Sequence, residues 1–466
     1  MSGPRKPSPS RVIVVLVTII ILAFLTVFGM AWLQKASAVS DDTYEYLELY
    51  NQVLSIVDNE YVEEVSVKKL VYGAINGMLE ELDPHTAFLP KEDYQEMRED
   101  ISGEFGGLGI EIGIRDKKLT VISPIEDTPA WRAGLEAGDV ITHIEGEPTK
   151  GMKLHKAVQK MRGPVGTEIT ISVMRKEWEE PRDFTIRREL IKIRSVKDAK
   201  LMDGGIGYIR LITFTEDTSR DLHKAIENLQ KESDKTMEGL ILDMRNNPGG
   251  PLKQAVKVAD MFVKEGKLVE VKGRQQSNTL YSHKSGTLEK DLRLLVLINH
   301  HTASAAEIVS GTLQDYGKAV LLGSPSFGKG SVQQLKNLKD GSGLKITTAY
   351  YYLPSGRIIQ EKGVEPDVTV PELSPAERKE LKESGKELRK HFREKDLQKL
   401  YEEDEVKDGD TAGRRLKEDT ELLPDKLGDD TDDYQLQRAL DLLKRPELFR
   451  QVLEKSDKVA AERRKK

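Results

Sequence analysis

The chain has 466 residues, no cysteine, 32% charged residues and a formal net charge of −6. Its length exceeds one ordinary hydrophobic core, so two to four domains are expected. The lack of cysteine excludes disulfides, cysteine nucleophiles and thiolate metal sites. Acids and bases are mixed without a basic excess, which argues against nucleic acid as the main partner.

The N-terminus carries an uncharged apolar run, VIVVLVTIIILAFLTVFGMAWL, over residues 12–33. Such a run is long enough to cross about 30 Å of hydrocarbon as a helix. Three basic residues precede it and favour a cytoplasmic N-terminus. The tripeptide ASA at 36–38 resembles a signal-peptidase site. We therefore expect residues 1–34 to be an inner-membrane anchor, with a cleaved signal segment as the alternative, and a periplasmic or otherwise extracytoplasmic remainder.

Residues 35–104 are predicted to form a helical region. Leu49, Val53 and Ile56 recur at helical spacing, and a second helix is predicted over VKKLVYGAINGMLEEL. Proline disfavours helix in the preceding residue, so Asp83-Pro84 ends that helix and DPHTAFL is predicted as a loop.

Residues 105–188 form a module of different character. The short runs GLGIEIGI, LTVISPI, DVITHIEG and EITISVMR are rich in β-branched residues and punctuated by glycine. One helix, KLHKAVQKM, interrupts them. A compact, mainly-β domain is predicted.

Residues 189–372 alternate between apolar strands and helices, as in GLILDMR followed by LKQAVKVADMFV. This alternation predicts an α/β core with a mostly parallel sheet, whose functional groups gather at the carboxyl ends of the strands. Residues 373–466 are predicted as a charged helical region, and the stretch 374–433 as solvated helix or disorder. Leu436, Leu440 and Leu443 then mark an amphipathic helix that needs a partner surface, either its own core or another subunit.

Ser304 lies in NHHTASAAEI, between a predicted buried strand and the helix that follows it. It is either a helix cap or a nucleophile, and a nucleophilic serine needs a base. His301 is a candidate base because it is close in sequence. A metal site of His300, His301 and Glu307 lacks a recognised ligand spacing, so no metal or other cofactor is expected.

Lys329 in SFGKGSV is the other candidate base. A lysine is protonated at neutral pH unless burial lowers its pKa. Phe327 and Val332 supply apolar cover, and neighbouring glycines allow close backbone approach. The loop lacks the glycine spacing of a phosphate-binding loop, which leaves a surface lysine as the alternative.

Several motifs together resemble one protease family. NHHTASAAEI, then FGKGSVQ, DMRNNPGG at 243–250 and LDPHTAFL at 82–89 are similar to the carboxy-terminal processing (tail-specific) proteases. The resemblance runs from about residue 45 to 372. The family usually has serine where Thr302 stands and smaller residues at His300-His301.

The resemblance implies a Ser–Lys dyad that cleaves peptide bonds. Ser304 would be the nucleophile, Lys329 the general base, and Gln333 the residue that orients the lysine. Charge on the tetrahedral oxygen needs backbone donors. The amide of Ala305 is one candidate, and Gly249 or Gly250 in the NPGG turn is the second.

The mainly-β module is similar to a PDZ domain. Leu108, Gly109 and Ile110 in GLGI would form the loop that holds a peptide carboxylate, and AGLEAGDVITHIEGEPT strengthens the resemblance. It implies substrates with nonpolar C-termini. Arg162, at the end of the module's helix, is either a solvated cation or a regulatory contact with the protease core.

The sequence thus predicts an α/β protease core with a mostly parallel sheet, an inserted mainly-β PDZ domain, and helical N- and C-terminal segments. The predicted function is an extracytoplasmic serine endopeptidase. A non-catalytic PDZ scaffold of the cell envelope is the alternative. Expected partners are proteins or peptides with free C-termini, an adaptor protein, the membrane and further copies of this chain, but no nucleic acid.

Overall fold

The structure is a computed structural model that describes residues 41–233, 237–274, 277–282, 292–373, 393–396 and 433–465. The expected anchor or signal segment, residues 1–34, lies outside these ranges. Within them, no helix is long and apolar enough to cross a membrane. The helices are α1 Asp41–Glu60, α2 Val67–Glu80, α3 Lys91–Ser102, α4 Pro129–Arg132, α5 Leu154–Met161, α6 Thr218–Glu232, α7 Leu252–Asp260, α8 Ala305–Asp315, α9 Tyr434–Leu443 and α10 Pro446–Lys465.

The strands fall into three larger sheets and one two-stranded ladder. In chain order they are β1 Ala87–Leu89, β2 Glu104–Gly107, β3 Ile110–Arg115, β4 Lys118–Pro124, β5 Val140–Ile144, β6 Glu147–Pro148, β7 Glu168–Met174, β8 Arg182–Arg187, β9 Glu189–Lys192, β10 Val196–Met202, β11 Ile206–Leu211, β12 Gly239–Asp243, β13 Lys267–Gly273, β14 Ser277–Tyr281, β15 Arg293–Ile298, β16 Ala319–Gly323, β17 Ser331–Asn337, β18 Gly343–Tyr352 and β19 Val368–Thr369.

The first core sheet has the order β10-β11-β12-β15-β16-β19, and every pairing except β10–β11 is parallel. Strands β12 and β16 are buried along their whole length. Helices α6, α7 and α8 contribute to one apolar cluster, and α9 and α10 to another, so both faces are covered. The predicted mostly parallel sheet is confirmed.

The predicted amphipathic helix is α9, and its apolar face is not free. Leu436 and Leu443 are buried in a cluster with strand residues such as Ile241 and Leu295. Own-core packing therefore accounts for this face. Of the two partner surfaces that the sequence left open for Leu436, Leu440 and Leu443, the structure shows the chain's own core.

A second core sheet is antiparallel, with the order β1-β18-β13-β14 and β17 paired to β18. The sequence placed DPHTAFL in a loop of a separate helical region, and this is only half right. Residues 87–89 form β1, which pairs with β18 from Lys345 to Gly343. The three-residue strand is too short for a periodicity signal, and its partner lies far away in sequence.

The mainly-β module has the strand order β3-β4-β5-β7-β8, with β6 on β5. Its apolar core includes Val121, Ile141, Ile171 and Ala157 of α5. Strands β2 and β9 pair where the chain enters and leaves the module. That ladder brings the two ends together, as an inserted domain requires. Strand β3 is an edge strand of its sheet.

Candidate active site

Ser304 occupies a strained position between β15 and α8. It is the N-cap residue of α8 and has φ 54° and ψ −116°. A non-glycine residue in such a conformation costs about 1–3 kcal/mol and persists only where its surroundings enforce it. The side chain is only partly buried, although Ala303 and Ala305 on either side are buried. The turn therefore presents one hydroxyl from an otherwise closed surface.

Thr302 holds that turn in place. Its hydroxyl donates to the carbonyl of Met244 and accepts from the amide of Asn299, both at 2.9 Å. The side chain is completely buried. A serine at this position would offer the same hydroxyl, so this departure from the commonest family pattern preserves the contact.

Glu307 joins the nucleophile turn to the loop that carries Lys329. One oxygen, Oε2, accepts from the amide of Ser304 at 2.8 Å and from the amide of Lys329 at 2.9 Å. The other, Oε1, accepts from the Ser326 hydroxyl at 2.5 Å and the Gly328 amide at 2.8 Å. Burial raises the pKa of Glu307 to about 7, despite these four bonds. One carboxyl group thus fixes both sides of the site.

A second link between the two loops is made by the backbone. The amide of Phe327 donates to the carbonyl of Thr302 at 3.0 Å. Gly330 then lets the chain pass close to its neighbour, because a Cβ there would stand 2.3 Å from the amide nitrogen of Gln360. The close backbone approach expected around Lys329 is present at Gly330. The apolar cover by Phe327 and Val332 stays a prediction.

Lys329 is half-buried in the loop that leads into β17. Burial lowers the pKa of its ammonium group, and the positive charge of Lys345 lowers it further. The carboxylates of Glu394, Glu307 and Asp83 oppose this shift without reversing it. A lowered pKa is what a lysine needs to act as a general base.

Gln333 lies on β17 beside a bulge between Val332 and Gln333. Its amide nitrogen donates to the hydroxyl of Ser331 at 2.8 Å and to that of Thr347 at 3.4 Å. These contacts fix the side chain on the strand. The expected bond to Lys329 remains a prediction for its acceptor oxygen.

The DPHT loop packs against the same strands. Asp83 accepts from the hydroxyls of Thr86 at 2.7 Å and Thr347 at 3.1 Å. Burial raises the pKa of Asp83, but these bonds and two backbone donors outweigh it, and the pKa is lowered. Burial also lowers the pKa of Lys345, against the charge of Asp83. The loop thus supplies the negative charge of Asp83, which raises the pKa of both Lys329 and Lys345.

The NPGG turn lies directly against the nucleophile. A Cβ on Gly249 would stand 2.8 Å from the Cβ of Ser304 and 2.8 Å from the amide nitrogen of Ala305. The amide of Gly249, however, donates to Oδ1 of Asn247 at 2.9 Å. Of the two glycines proposed as oxyanion donors, Gly250 is therefore the better candidate beside Ala305.

Arg245 anchors the start of the same turn to the C-terminal helices. Its guanidinium contacts Asp243 at 2.6 Å and both carboxylate oxygens of Asp433, at 2.5 and 2.9 Å. Burial disfavours this cation, but the two carboxylates outweigh burial and raise its pKa well above the ordinary value. The buried ion pair explains why DMRNNPGG combines an acidic residue, Asp243, with a basic residue, Arg245.

Comparison with known proteins assigns the family. The profile of peptidase family S41 matches residues 205–370, that of a PDZ domain 120–175, and that of the activating protease CtpB N-terminal domain 26–93. The carboxy-terminal-processing protease of Bartonella bacilliformis is 43% identical over 359 residues, which are 76% of this chain and 82% of that protein. The chain belongs to the carboxy-terminal-processing proteases of peptidase family S41.

This carboxy-terminal-processing protease has further relatives. A probable CtpA-like serine protease of Staphylococcus aureus is 38% identical over 357 residues, covering 76% of this chain and 71% of that protein. Among solved structures, the photosystem II D1 C-terminal processing protease is 30% identical and covers 72% of this chain and 94% of that one, with a TM-score of 0.43. The predicted family, fold class and serine-type peptidase activity are confirmed.

The PDZ domain of the protease places the GLGI loop at the edge of its sheet. Leu108 is buried and its carbonyl accepts from the amide of Ala130 at 2.9 Å. The carbonyl of Gly109 accepts from the hydroxyl of Thr128 at 3.0 Å. Ile110 then begins β3, the edge strand. The loop is thus fixed next to a strand that pairs with a single neighbour, β4, in the described part of the chain.

Arg162 contacts the segment that precedes the PDZ domain, not the predicted protease core. Its guanidinium bonds to Asp100 at 3.0 Å and lies 3.8 Å from Glu96, both on α3. It also stacks over the ring of Phe105 at 4.2 Å. The expectation that Arg162 faces the core is corrected to a contact with this connecting segment.

One site residue, Glu307, has a role that the sequence-based reasoning does not predict. The sequence offers Glu307 only as a metal ligand, whereas its carboxylate accepts from backbone amides and no metal-binding cluster occurs in the described ranges. His300 lies 3.3 Å from Glu372, and His301 is exposed. The position of Glu307 three residues after Ser304, at a helix start, was the available signal.

Proposed function

We propose that the protein is an extracytoplasmic serine endopeptidase that uses a Ser304–Lys329 dyad. Neutral Lys329 takes the proton of the Ser304 hydroxyl as Oγ attacks the scissile carbonyl carbon. The oxyanion accepts hydrogen bonds from the amides of Ala305 and Gly250. The C–N bond then breaks, and the leaving amine takes the proton from Lys329. Water hydrolyses the acyl-enzyme with Lys329 again as base.

The observation that carries this proposal is the carboxyl group of Glu307. It accepts from the amides of Ser304 and Lys329 through the same oxygen. The two residues are thereby held at one place by a single buried group. The lowered pKa of Lys329 supports its role as base, and the exposed position of His301 offers no comparable support.

Substitution of the dyad tests the proposal. Cleavage of unfolded casein and of a short peptide should be abolished in Ser304→Ala, which lacks the nucleophile, and in Lys329→Ala, which lacks the base. Lys329→Arg should also be inactive, because arginine does not deprotonate in proteins. Their thermal midpoints should remain close to that of the parent chain. Cleavage by either lysine variant would reject the dyad and revive His301. A parent chain without activity would favour the PDZ scaffold.

We further propose that substrates are selected by a free, nonpolar C-terminus. The edge position of β3 and the fixed GLGI loop support peptide addition beside Ile110. One cleavable peptide, compared as the free acid and as the C-terminal amide, tests this. The acid should be cut faster, and deleting residues 105–188 should remove the difference. Equal rates in the intact chain would leave the PDZ domain as a passive tether.

The remaining proposals concern location and assembly. The apolar run 12–33 supports an inner-membrane anchor, with the protease on the extracytoplasmic side.

On α1, Leu49, Val53 and Ile56 are 55%, 50% and 46% exposed, which supports self-association through this helix. Light scattering on the chain without residues 1–34 tests assembly, and a fully active monomer would contradict it. Pull-down with cross-linking tests for an adaptor.

A further inference from the structure

One group that contacts the loop carrying Lys329 comes from the charged C-terminal region. Glu394 belongs to the short described segment 393–396, beyond the end of the S41 match at 370. The sequence predicts this stretch as solvated, yet the side chain of Glu394 is 0% exposed. A fully buried carboxylate requires compensating partners, so its contacts indicate why it is there.

The contacts of Glu394 reach the backbone on both sides of Lys329. Its amide donates to the carbonyl of Phe327 at 3.2 Å. Its Oε1 accepts from the side-chain amide of Gln360 at 2.8 Å, and Gln360 in turn accepts from the amide of Gly330 at 3.0 Å. The loop carrying the base is therefore anchored two residues before and one residue after Lys329.

The charge of Glu394 is held in a fixed position. His85 of the DPHT loop lies 2.7 Å from Oε1. The second oxygen, Oε2, is buried and has no hydrogen-bond partner within the described part of the chain. The carboxylate of Glu394 raises the pKa of Lys329, whereas burial and the charge of Lys345 lower this pKa.

We propose that Glu394 is a positioning residue of the active site, which ties the base loop to the C-terminal region through Phe327 and Gln360 and presents a fixed negative charge to Lys329. This inference rests on the proposed role of Lys329 as base. A negative charge stabilises the ammonium form, so the C-terminal region raises the pH at which the base becomes neutral. Activity below that pH is thereby restrained.

The test separates charge from shape. Glu394→Gln keeps the length and the Oε1 acceptor but removes the charge. The matched control is Glu361→Gln, which removes an exposed carboxylate next to Gln360. kcat/KM of the full chain on a free-acid peptide is measured on both sides of its rising limb. The other groups around the pair, Lys345, Glu307, Asp83 and His85, stay unchanged.

We expect Glu394→Gln to move the midpoint down by about half a pH unit, which raises kcat/KM below the midpoint about threefold. Glu361→Gln should leave the midpoint in place. Glu394→Met, which also lacks the charge, should move it in the same direction, and this second replacement guards against a folding defect in the first. Gln360→Leu keeps the charge, so it should lower kcat without moving the midpoint.

An unchanged or raised midpoint in both Glu394 variants would overturn the inference. Lys329→Ala distinguishes this failure from failure of the dyad. If that variant is inactive while the Glu394 midpoints stay fixed, only the role of Glu394 is rejected. If it is active, the proposed function itself fails.

Discussion

The nucleophile side and the base side of the active site are built in different ways. Ser304 sits on one turn between β15 and α8, and every residue of α8 is buried. The base side is assembled from distant pieces of chain: residues 83–86, the loop before β17, Lys345 and Thr347 of β18, Gln360, and Glu394. The nucleophile is thus carried by one continuous strand–turn–helix unit, whereas the base side combines several distant segments.

The nucleophile side depends mainly on backbone geometry, whereas the base side depends mainly on charge. The strained conformation of Ser304 is enforced by its packed surroundings, and its amide donates to one ionisable side chain, Glu307. The pKa of Lys329, by contrast, is lowered by burial and by one neighbouring cation and raised by three carboxylates. Substitutions on the nucleophile side should therefore change rates without moving pH profiles, whereas those on the base side should move the profiles.

The largest expected effect is on the nucleophile side. Ser304→Ala should lower kcat/KM by about a thousandfold or more, because the attacking oxygen is lost. Thr302→Ser is the matched control: it keeps the hydroxyl that holds the turn and should stay within a few-fold of the parent. Peptide-cleavage kinetics measure both. Substantial activity in Ser304→Ala would show that another group attacks.

The second prediction concerns the residue that joins the two sides. Glu307→Gln should lower kcat about a hundredfold. Both carboxylate oxygens of Glu307 accept from backbone N–H groups, and in glutamine an NH₂ donor would replace one of these acceptors. Glu365→Gln removes an exposed carboxylate and should have little effect. If Glu307→Gln retained full kcat, the bridge would not position the dyad.

The same carboxyl group should leave a signature in stability. Burial raises the pKa of Glu307 to about 7 in the folded chain. The folded state then holds a proton that the unfolded state has released, so this contribution is complete below the ordinary glutamate pKa and is lost as pH rises through about 7. Relative to Glu307→Gln, the parent should lose up to about 3 kcal/mol of stability across this window. Thermal midpoints of both chains across pH measure this, and parallel curves would contradict it.

The smallest effect should come from the PDZ domain. Arg162→Gln removes one ion pair and a ring contact, so the stability loss should be about 1 kcal/mol or less. If Arg162 changes partner when a peptide docks, the variant should show a smaller preference for the free-acid peptide over its amide. Arg132→Gln, which breaks an exposed pair with Glu189, should keep that preference. An unchanged preference in Arg162→Gln would reduce Arg162 to a structural role.

The same contrast explains what the sequence could predict. Strong local patterns, such as the apolar run before Ser304 or the alternation around DMRNNPGG, located the parallel sheet and the nucleophile turn. The pairing of β1 with β18 and the burial of Glu394 depend on contacts between distant segments, which leave no local pattern. Arg245 shows an intermediate case: its motif was recognised, but its partner Asp433 lies 188 residues away.

The proposed role of neutral Lys329 as the base is tested most directly by the pH dependence of kcat/KM. A free-acid peptide is assayed with the parent chain, His301→Ala and Lys329→Ala. We expect kcat/KM to rise with pH, with a midpoint below the ordinary pKa of lysine that is unchanged in His301→Ala, and we expect Lys329→Ala to be inactive. A limb centred near about 6.5 that disappears in His301→Ala, with activity retained in Lys329→Ala, would contradict it.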